Sequence, residues 1–163
     1  MTVSVRPATV DDLDALVDLY ADVAAEGRWI AGEMPVDKLA RRARFESSMD
    51  RNEAQSFVAL DGERIVGELG VEVASYGVAD LGMMVAADTR GRGVGSALLS
   101  AAIKWARQAG AHKVALQVWP HNDAALALYR KFGFEQEGYL RRHYRRRHGE
   151  LWDAVVMGMP LEG

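Results

Sequence analysis

The stretch Arg90-Gly91-Arg92-Gly93-Val94-Gly95-Ser96 lies between a β-type run, Val78 to Val85, and a helical run in which Leu98, Leu99, Ala102, Ile103 and Ala106 share one face. Its position says more than its composition. Glycines let a backbone approach an anion closely, and the free N–H groups of a helix's first turn, with roughly half a positive charge from the aligned peptides, point at it. The turn therefore predicts a diphosphate site, with Arg90 and Arg92 able to add charge-assisted contacts, one of them to a ribose phosphate. Two other phosphate-binding patterns fail here. A nucleotide-hydrolase loop needs Gly-x-x-x-x-Gly-Lys and then Ser or Thr, and no lysine follows the turn before Lys104. A dinucleotide fold needs Gly-x-Gly-x-x-Gly after the first strand of a parallel unit, whereas the spacing is Gly-x-Gly-x-Gly and the preceding strands are hairpin-linked. A glycine-rich turn without a ligand is the competing reading of the motif taken alone.

Upstream of the turn, Val3 and Val5 alternate with polar residues before Pro7 and predict a short strand. Thr9 reads as a helix N-cap, and Leu13, Leu16, Val17, Tyr20 and Val23 follow at helical spacing to about Ala25. Glu26 to Met34, with two glycines and an exposed-looking Trp29-Ile30 pair, reads as a loop before a second helix from near Pro35 to about Met49. Phe57 to Leu60 and Arg64 to Val73 flank Asp61-Gly62, a hairpin signal. Downstream, Gly110 stops the long helix, and Val114, Leu116 and Val118 alternate as a strand. Asp123 caps a fourth helix that ends at Phe132-Gly133, and Glu135 to Arg142 with Leu151 to Met159 form a closing hairpin. The order β-α-α-β-β-β-α-β-α-β-β predicts a mixed, mostly antiparallel sheet with helices on its faces, classed as α/β or in some schemes α+β.

The 163 residues suit one domain over 1–163, and an apolar share of 49% beside 26% charged residues argues against both disorder and a fibrous repeat. A formal charge of −3 gives no global pull towards nucleic acid, so anion binding has to come from local arrangement. With no cysteine, disulfides, thiolate metal sites and a covalent thiol mechanism are all unavailable. Met1 to Pro7 lacks the apolar core of a signal peptide, and no apolar run approaches the roughly 18 residues of a membrane helix, so a cytoplasmic protein without membrane contact is expected.

The chain resembles the GNAT superfamily of N-acetyltransferases. Its cofactor motif is Gln/Arg-x-x-Gly-x-Gly/Ala, which Arg90, Gly93 and Gly95 match in register. A second segment, Asn122-Asp123-Ala124-Ala125-Leu126-Ala127-Leu128-Tyr129 followed by Gly133-Phe134, resembles the family's downstream cofactor segment, and the element order agrees from Val3 to Met159. The ending Gly149-Glu150-Leu151-Trp152-Asp153 is similar to bacterial members that acylate amino acids or other small amines. The resemblance implies acetyl-CoA as co-substrate, no metal, and transfer of acetyl to a primary amine of a small molecule by direct attack in a ternary complex. Acetylation of a protein N-terminus or lysine is the enzymatic alternative, and a CoA-sensing or nucleic-acid-binding module is the non-enzymatic one. The family is often dimeric, and no sequence feature decides whether this chain is a homodimer.

The resemblance further implies a V-shaped gap between Val78–Val85 and Lys113–Trp119, with the pantetheine arm paired to backbone groups of Met84 and Val85, and Gly91, Arg92, Val94 and Ser96 completing the cofactor turn. Tyr129 is expected to touch the cofactor and act as general acid, delivering a proton to the leaving thiolate; the alternative is a half-buried helix tyrosine with a satisfied hydroxyl. Asn122 either holds the cofactor arm or caps the helix. A primary amine is mostly protonated at neutral pH, so a base is also needed, and Asp80 is the first candidate because it interrupts an apolar strand, with Glu68 and Glu72 on the adjacent strand behind it. A solvent-facing role for these carboxylates competes with that reading, and His121 is a further relay candidate. Acceptor specificity is expected from Glu26 to Glu33 and the turn near Arg141 to Gly149, where Arg141, Arg142, Arg145, Arg146 and Arg147 are read as charges protecting a solvated hairpin edge.

Overall fold

Seven strands, β1 (Val3–Pro7), β2 (Ala54–Asp61), β3 (Arg64–Val73), β4 (Val78–Val85), β5 (Lys113–Val118), β6 (Glu135–Arg145) and β7 (Leu151–Pro160), make one sheet in the order β1-β2-β3-β4-β5-β7-β6. The structure is a computed structural model; it describes residues 1–161, so the last two residues of the domain expected over 1–163 lie outside the described residues. Every strand pair is antiparallel except β4–β5, which is the mixed, mostly antiparallel sheet expected. Four helices, α1 (Leu13–Glu26), α2 (Lys38–Met49), α3 (Val94–Gln108) and α4 (Asp123–Phe132), fall in the expected order.

Local chemistry sets the boundaries. Thr9 does not begin α1 directly: a single 3-10 turn, Val10–Asp12, intervenes, and Asp12 accepts a 2.8 Å bond from the Thr9 amide while Arg6 forks onto its carboxylate at 2.7 and 2.9 Å. α2 starts at Lys38 rather than near Pro35, because the Asp37 carboxylate accepts from the Ala40 amide at 3.0 Å and so serves as its N-cap. Asn122, not Asp123, caps α4, with its Oδ1 taking the Ala125 amide at 3.2 Å. The closing hairpin extends three residues beyond Arg142 to Arg145.

The pairings place the helices. An added Cβ at Gly67 would meet Val94 and Leu98, one at Gly95 would meet Leu128 and Met83, and one at Gly133 would meet Met159, so α3 and α4 cover one face. Side chains alternate along each strand, so Glu68, Glu72, Asp80 and Met84 point to the opposite face, which α1 and α2 cover. Leu13, Leu16 and Val66 form the core on that side, and Leu69, Leu98 and Leu116 on the other, all essentially fully buried. Among the described residues no helix is long and apolar enough to cross a membrane, and no group of three or more His, Asp or Glu side chains is placed to hold a metal ion.

Candidate active site

The sheet is parted in its middle. β4 pairs with β5 only over Val78–Asp80 with Lys113–Ala115, yet β4 continues to Val85 and β5 to Val118, so the two strands diverge into the V expected between them. A cleft of about 700 Å³ fills the V and passes from the α3/α4 face, at Gly93, Gly95 and Tyr129, to the α1/α2 face, at Glu68, Arg41 and Tyr20.

On the first face, Gly91 and Gly93 have φ of 76° and 87°, a left-handed backbone that glycine adopts without penalty, and an added Cβ at either would meet nothing within 4 Å. The helix starts at Val94 with Gly93 as N-cap and no side chain capping it. The amides of Val94, Gly95 and Ser96 therefore have no acceptor one turn back, and they open on the cleft. The Val94 side chain itself is buried against Gly67, which leaves only its backbone for a ligand.

The two arginines of the turn separate. Arg90 is committed within the protein: Nη1 and Nη2 fork onto Glu26 at 2.6 and 2.8 Å, and Nε and Nη2 both donate to the Val85 carbonyl, at 3.1 and 2.9 Å. This pairing holds the Glu26 carboxyl below its ordinary range. Arg92 is exposed and has no carboxylate within 4 Å among the described residues, so it is the cation of the turn left for an anion.

β4's backbone also differs in detail from the expectation. The Ala86 amide donates to the Val66 carbonyl at 2.8 Å and the Ala74 amide to Val78 at 2.9 Å, which fixes the alternation along the strand. Met84 lies in the same phase as Ala86, so its peptide groups pair with Glu68 across the β3–β4 ladder; the gap receives those of Met83 and Val85 instead. The peptide groups of Met84 are thus taken by β3, and those left facing the gap are Met83's and the Val85 amide, since the Val85 carbonyl already takes Arg90.

Tyr129 lines the cleft from α4, its ring against Phe134 at 5.6 Å between centroids. Its hydroxyl forms no hydrogen bond among the described residues, and burial pushes its pKa up to about 12. Asn122 lines the cleft as well; capping occupies its Oδ1 and leaves its amide nitrogen.

Asp80 is not brought to the cleft. It stands at the apex of the V, opposite Glu72 and Ala115, and keeps an exposed surface; partial desolvation by its neighbours raises its pKa, as does the charge of Glu72, which is itself ion-paired to Arg51. Glu68, opposite Met84, is four residues further along the ladder, about 13 Å at strand spacing. Glu68 is buried and lines the cleft. Burial pushes its pKa up to about 7, against the opposing influence of a 2.7 Å bond from Ser56 Oγ and the charge of Arg41. Gly70 and Gly82, paired across β3 and β4 on this face, leave room beside it: a Cβ at Gly82 would meet nothing within 4 Å.

The loop between α1 and α2 crosses the cleft on this side. Trp119 Nε1 donates to the Trp29 carbonyl at 3.1 Å, His121 Nε2 lies 2.8 Å from the Arg28 carbonyl, and Arg146 Nη1 donates to Ala31 at 3.1 Å. Trp29 and Ile30 are half-buried there rather than exposed. The two expected lids therefore meet, and Arg146 is not a solvated edge charge: it is 3% exposed, stacked 4.0 Å over Trp152, and ion-paired through Nε to Glu33 at 3.5 Å, with Nε and Nη2 making no hydrogen bond among the described residues. His121 is held in the same aromatic cluster, stacked on Trp119 and edge-on to Trp152. Sequence reading also passed over Tyr20, Arg41 and Phe45, because nothing in a helix pattern distinguishes one cation or aromatic from its neighbours.

The comparison with known proteins agrees with this geometry. Residues 16–134 match the model of the acetyltransferase (GNAT) family. The chain is 30% identical to an L-methionine sulfoximine/L-methionine sulfone acetyltransferase of Pseudomonas aeruginosa over 99% of this chain and 96% of the relative. It is 31% identical to the L-amino acid N-acetyltransferase AaaT of Escherichia coli over 94% of each. In fold it resembles a GNAT superfamily phosphinothricin acetyltransferase from Sinorhizobium meliloti solved in complex with acetyl-CoA, with a TM-score of 0.87 at 24% identity over 99% of this chain and 89% of that one.

Proposed function

Because this chain belongs to the GNAT family and is an N-acetyltransferase, we propose that it transfers acetyl from acetyl-CoA to the primary amine of a small, amino-acid-like molecule by direct attack in a ternary complex. The observation that carries the reading is the passage through the sheet, with left-handed glycines and free helix amides at one mouth and a buried carboxylate near neutral pKa at the other. Acetyl-CoA supplies an acetyl group activated as a thioester. Its fit to the chain rests on open space at Gly91 and Gly93, free first-turn amides, and the peptide groups of Met83 and the amide of Val85 facing the gap.

Glu68 is the general base on this reading: its carboxylate takes the proton that the acceptor ammonium must lose, on the face from which the acceptor enters. Tyr129 Oη, with no hydrogen-bond partner among the described residues, donates a hydrogen bond to the leaving sulfur from the opposite side. The loop anchored over the cleft by Trp119, His121 and Arg146 supports a small acceptor over a polypeptide, which needs an open groove.

The test is CoA-thiol release with a library of amines that includes amino acids and short peptides. Initial rates with intersecting double-reciprocal lines and turnover of free amino acids are expected. Parallel lines, or turnover of peptides alone, would refute the proposal.

A further inference from the structure

Six arginines have a carboxylate within 4 Å among the described residues: Arg6 has Asp12, Arg42 has Asp14, Arg51 has Glu53 and Glu72, Arg64 has Asp88, Arg90 has Glu26, and Arg146 has Glu33. Arg41 does not. It reaches from α2 into the α1/α2 mouth of the cleft, half-buried, with no carboxylate within 4 Å among the described residues. It is nonetheless fixed in place: Nη2 donates to the Tyr20 hydroxyl at 2.8 Å, and the guanidinium lies 3.9 Å over the Tyr20 ring and 5.8 Å from that of Phe45. Tyr20 is in turn wedged under the crossing loop, where a Cβ at Gly32 would lie 2.0 Å from its hydroxyl.

A half-buried guanidinium that lines the cleft and whose one hydrogen bond among the described residues goes to Tyr20 has donors to spare for an anion, and its planar fork matches a carboxylate. Burial already disfavours its charge, drawing its pKa down, so an anion there regains what desolvation costs. The general base stands in the same mouth: Glu68 is near enough for Arg41 to act on its ionisation, and too far for a salt bridge. An α-amino acid carries carboxylate and amine on one carbon. Held by the carboxylate at Arg41, it would present its amine towards Glu68 across the open floor at Gly82, with its side chain against Phe45 and Ile30.

We infer that Arg41, oriented by Tyr20, is the anchor for the acceptor's carboxylate and selects amino acids with a free carboxylate over their amides. The inference rests on the proposed amine acetylation and adds to it the residue that reads the acceptor.

The experiment compares L-methionine with L-methioninamide as acceptors for the wild-type enzyme, Arg41→Gln and Arg41→Lys. Loss of a charge-assisted forked pair predicts that Arg41→Gln lowers the ratio of kcat/KM for acid over amide by roughly 10- to 100-fold, with Arg41→Lys between. A ratio unchanged in Arg41→Gln, with both acceptors falling together, overturns the inference while leaving the acetyltransferase reading intact. Calorimetry of N-acetyl-L-methionine binding to the CoA-saturated protein gives a second readout. Should no free amino acid in the amine library turn over, the proposed function fails; N-acetyl-L-methionine binding that is lost in Arg41→Gln while CoA affinity persists then still sustains the Arg41 site, and no binding to the wild type overturns it.

Discussion

Replacing Glu68 by glutamine separates a catalytic carboxylate from a structural one, because the two roles predict opposite effects on activity and stability. In the folded protein the carboxyl has a pKa of about 7 against an ordinary 4.5, so the folded state holds the proton more tightly than the unfolded chain does. The stabilisation from that proton is complete below about pH 4.5 and is lost as pH rises through about 7. At roughly 1.4 kcal/mol per tenfold in proton affinity, the loss amounts to about 3 kcal/mol. Glutamine is neutral, nearly isosteric and still able to accept from Ser56 Oγ. Glu68→Gln should therefore match wild type in urea unfolding at about pH 4 and exceed it by up to about 3 kcal/mol at about pH 8. The same variant should lose about 10²- to 10⁴-fold in kcat/KM, while wild-type kcat/KM rises with pH through about 7. Asp80→Asn, altered at the apex of the V, should change kcat/KM by less than about threefold. If Glu68→Gln keeps wild-type kcat/KM, or if the loss falls on Asp80→Asn instead, the assignment of the base is wrong; equal stability at both pH values would refute the electrostatic argument.

Tyr129→Phe removes only the unpartnered hydroxyl, so kcat should fall about 100-fold while calorimetry finds acetyl-CoA affinity within about threefold of wild type. Gly93→Ala forces a side chain into a backbone at φ 87°, which costs about 1–2 kcal/mol for a non-glycine residue. Acetyl-CoA affinity should drop about tenfold as the turn relaxes away from its anion-binding shape, and unchanged affinity and melting temperature would show that the turn does not need its left-handed corner.

The glycine turn was legible because its information is local. Glycines at fixed offsets between a strand and a helix specify a backbone conformation, and Gly91, Gly93 and the N-terminus of α3 adopt it. Element order was legible for a similar reason, since alternation and helical spacing are properties of contiguous residues. The α1/α2 mouth of the cleft is assembled from α1, α2, β3 and the loop after α1, which lie far apart in sequence. Asp80 and Glu68 each interrupt an apolar strand in the same way, and only the point at which β4 leaves β5 decides which of them borders the cleft. Met84 and Met83 differ by a single step of ladder phase, which the β3–β4 register sets. Arg146 lay in a run of arginines whose sequence pattern is that of a solvated edge, and its burial follows from Trp152 and the loop carbonyls meeting around it.

The same desolvation acts in opposite senses on the two groups flanking the gap. For Tyr129 it weakens the acid: a phenol near 12 would give its proton to a thiolate, whose conjugate acid is near 8.5, at a cost of about 5 kcal/mol, so a hydrogen bond held throughout is more favourable than early transfer. For Glu68 it strengthens the base. Taking a proton from an ammonium of pKa near 10 costs about 7 kcal/mol for an ordinary glutamate and about 4 kcal/mol for one near 7. A pKa much higher would leave the group protonated at neutral pH and useless as a base; the Ser56 bond and the charge of Arg41 both pull it down from where burial alone would put it. The roughly 3 kcal/mol gained in proton transfer is the same quantity by which ionised Glu68 destabilises the fold, so the two measurements on Glu68→Gln test one energy from two sides.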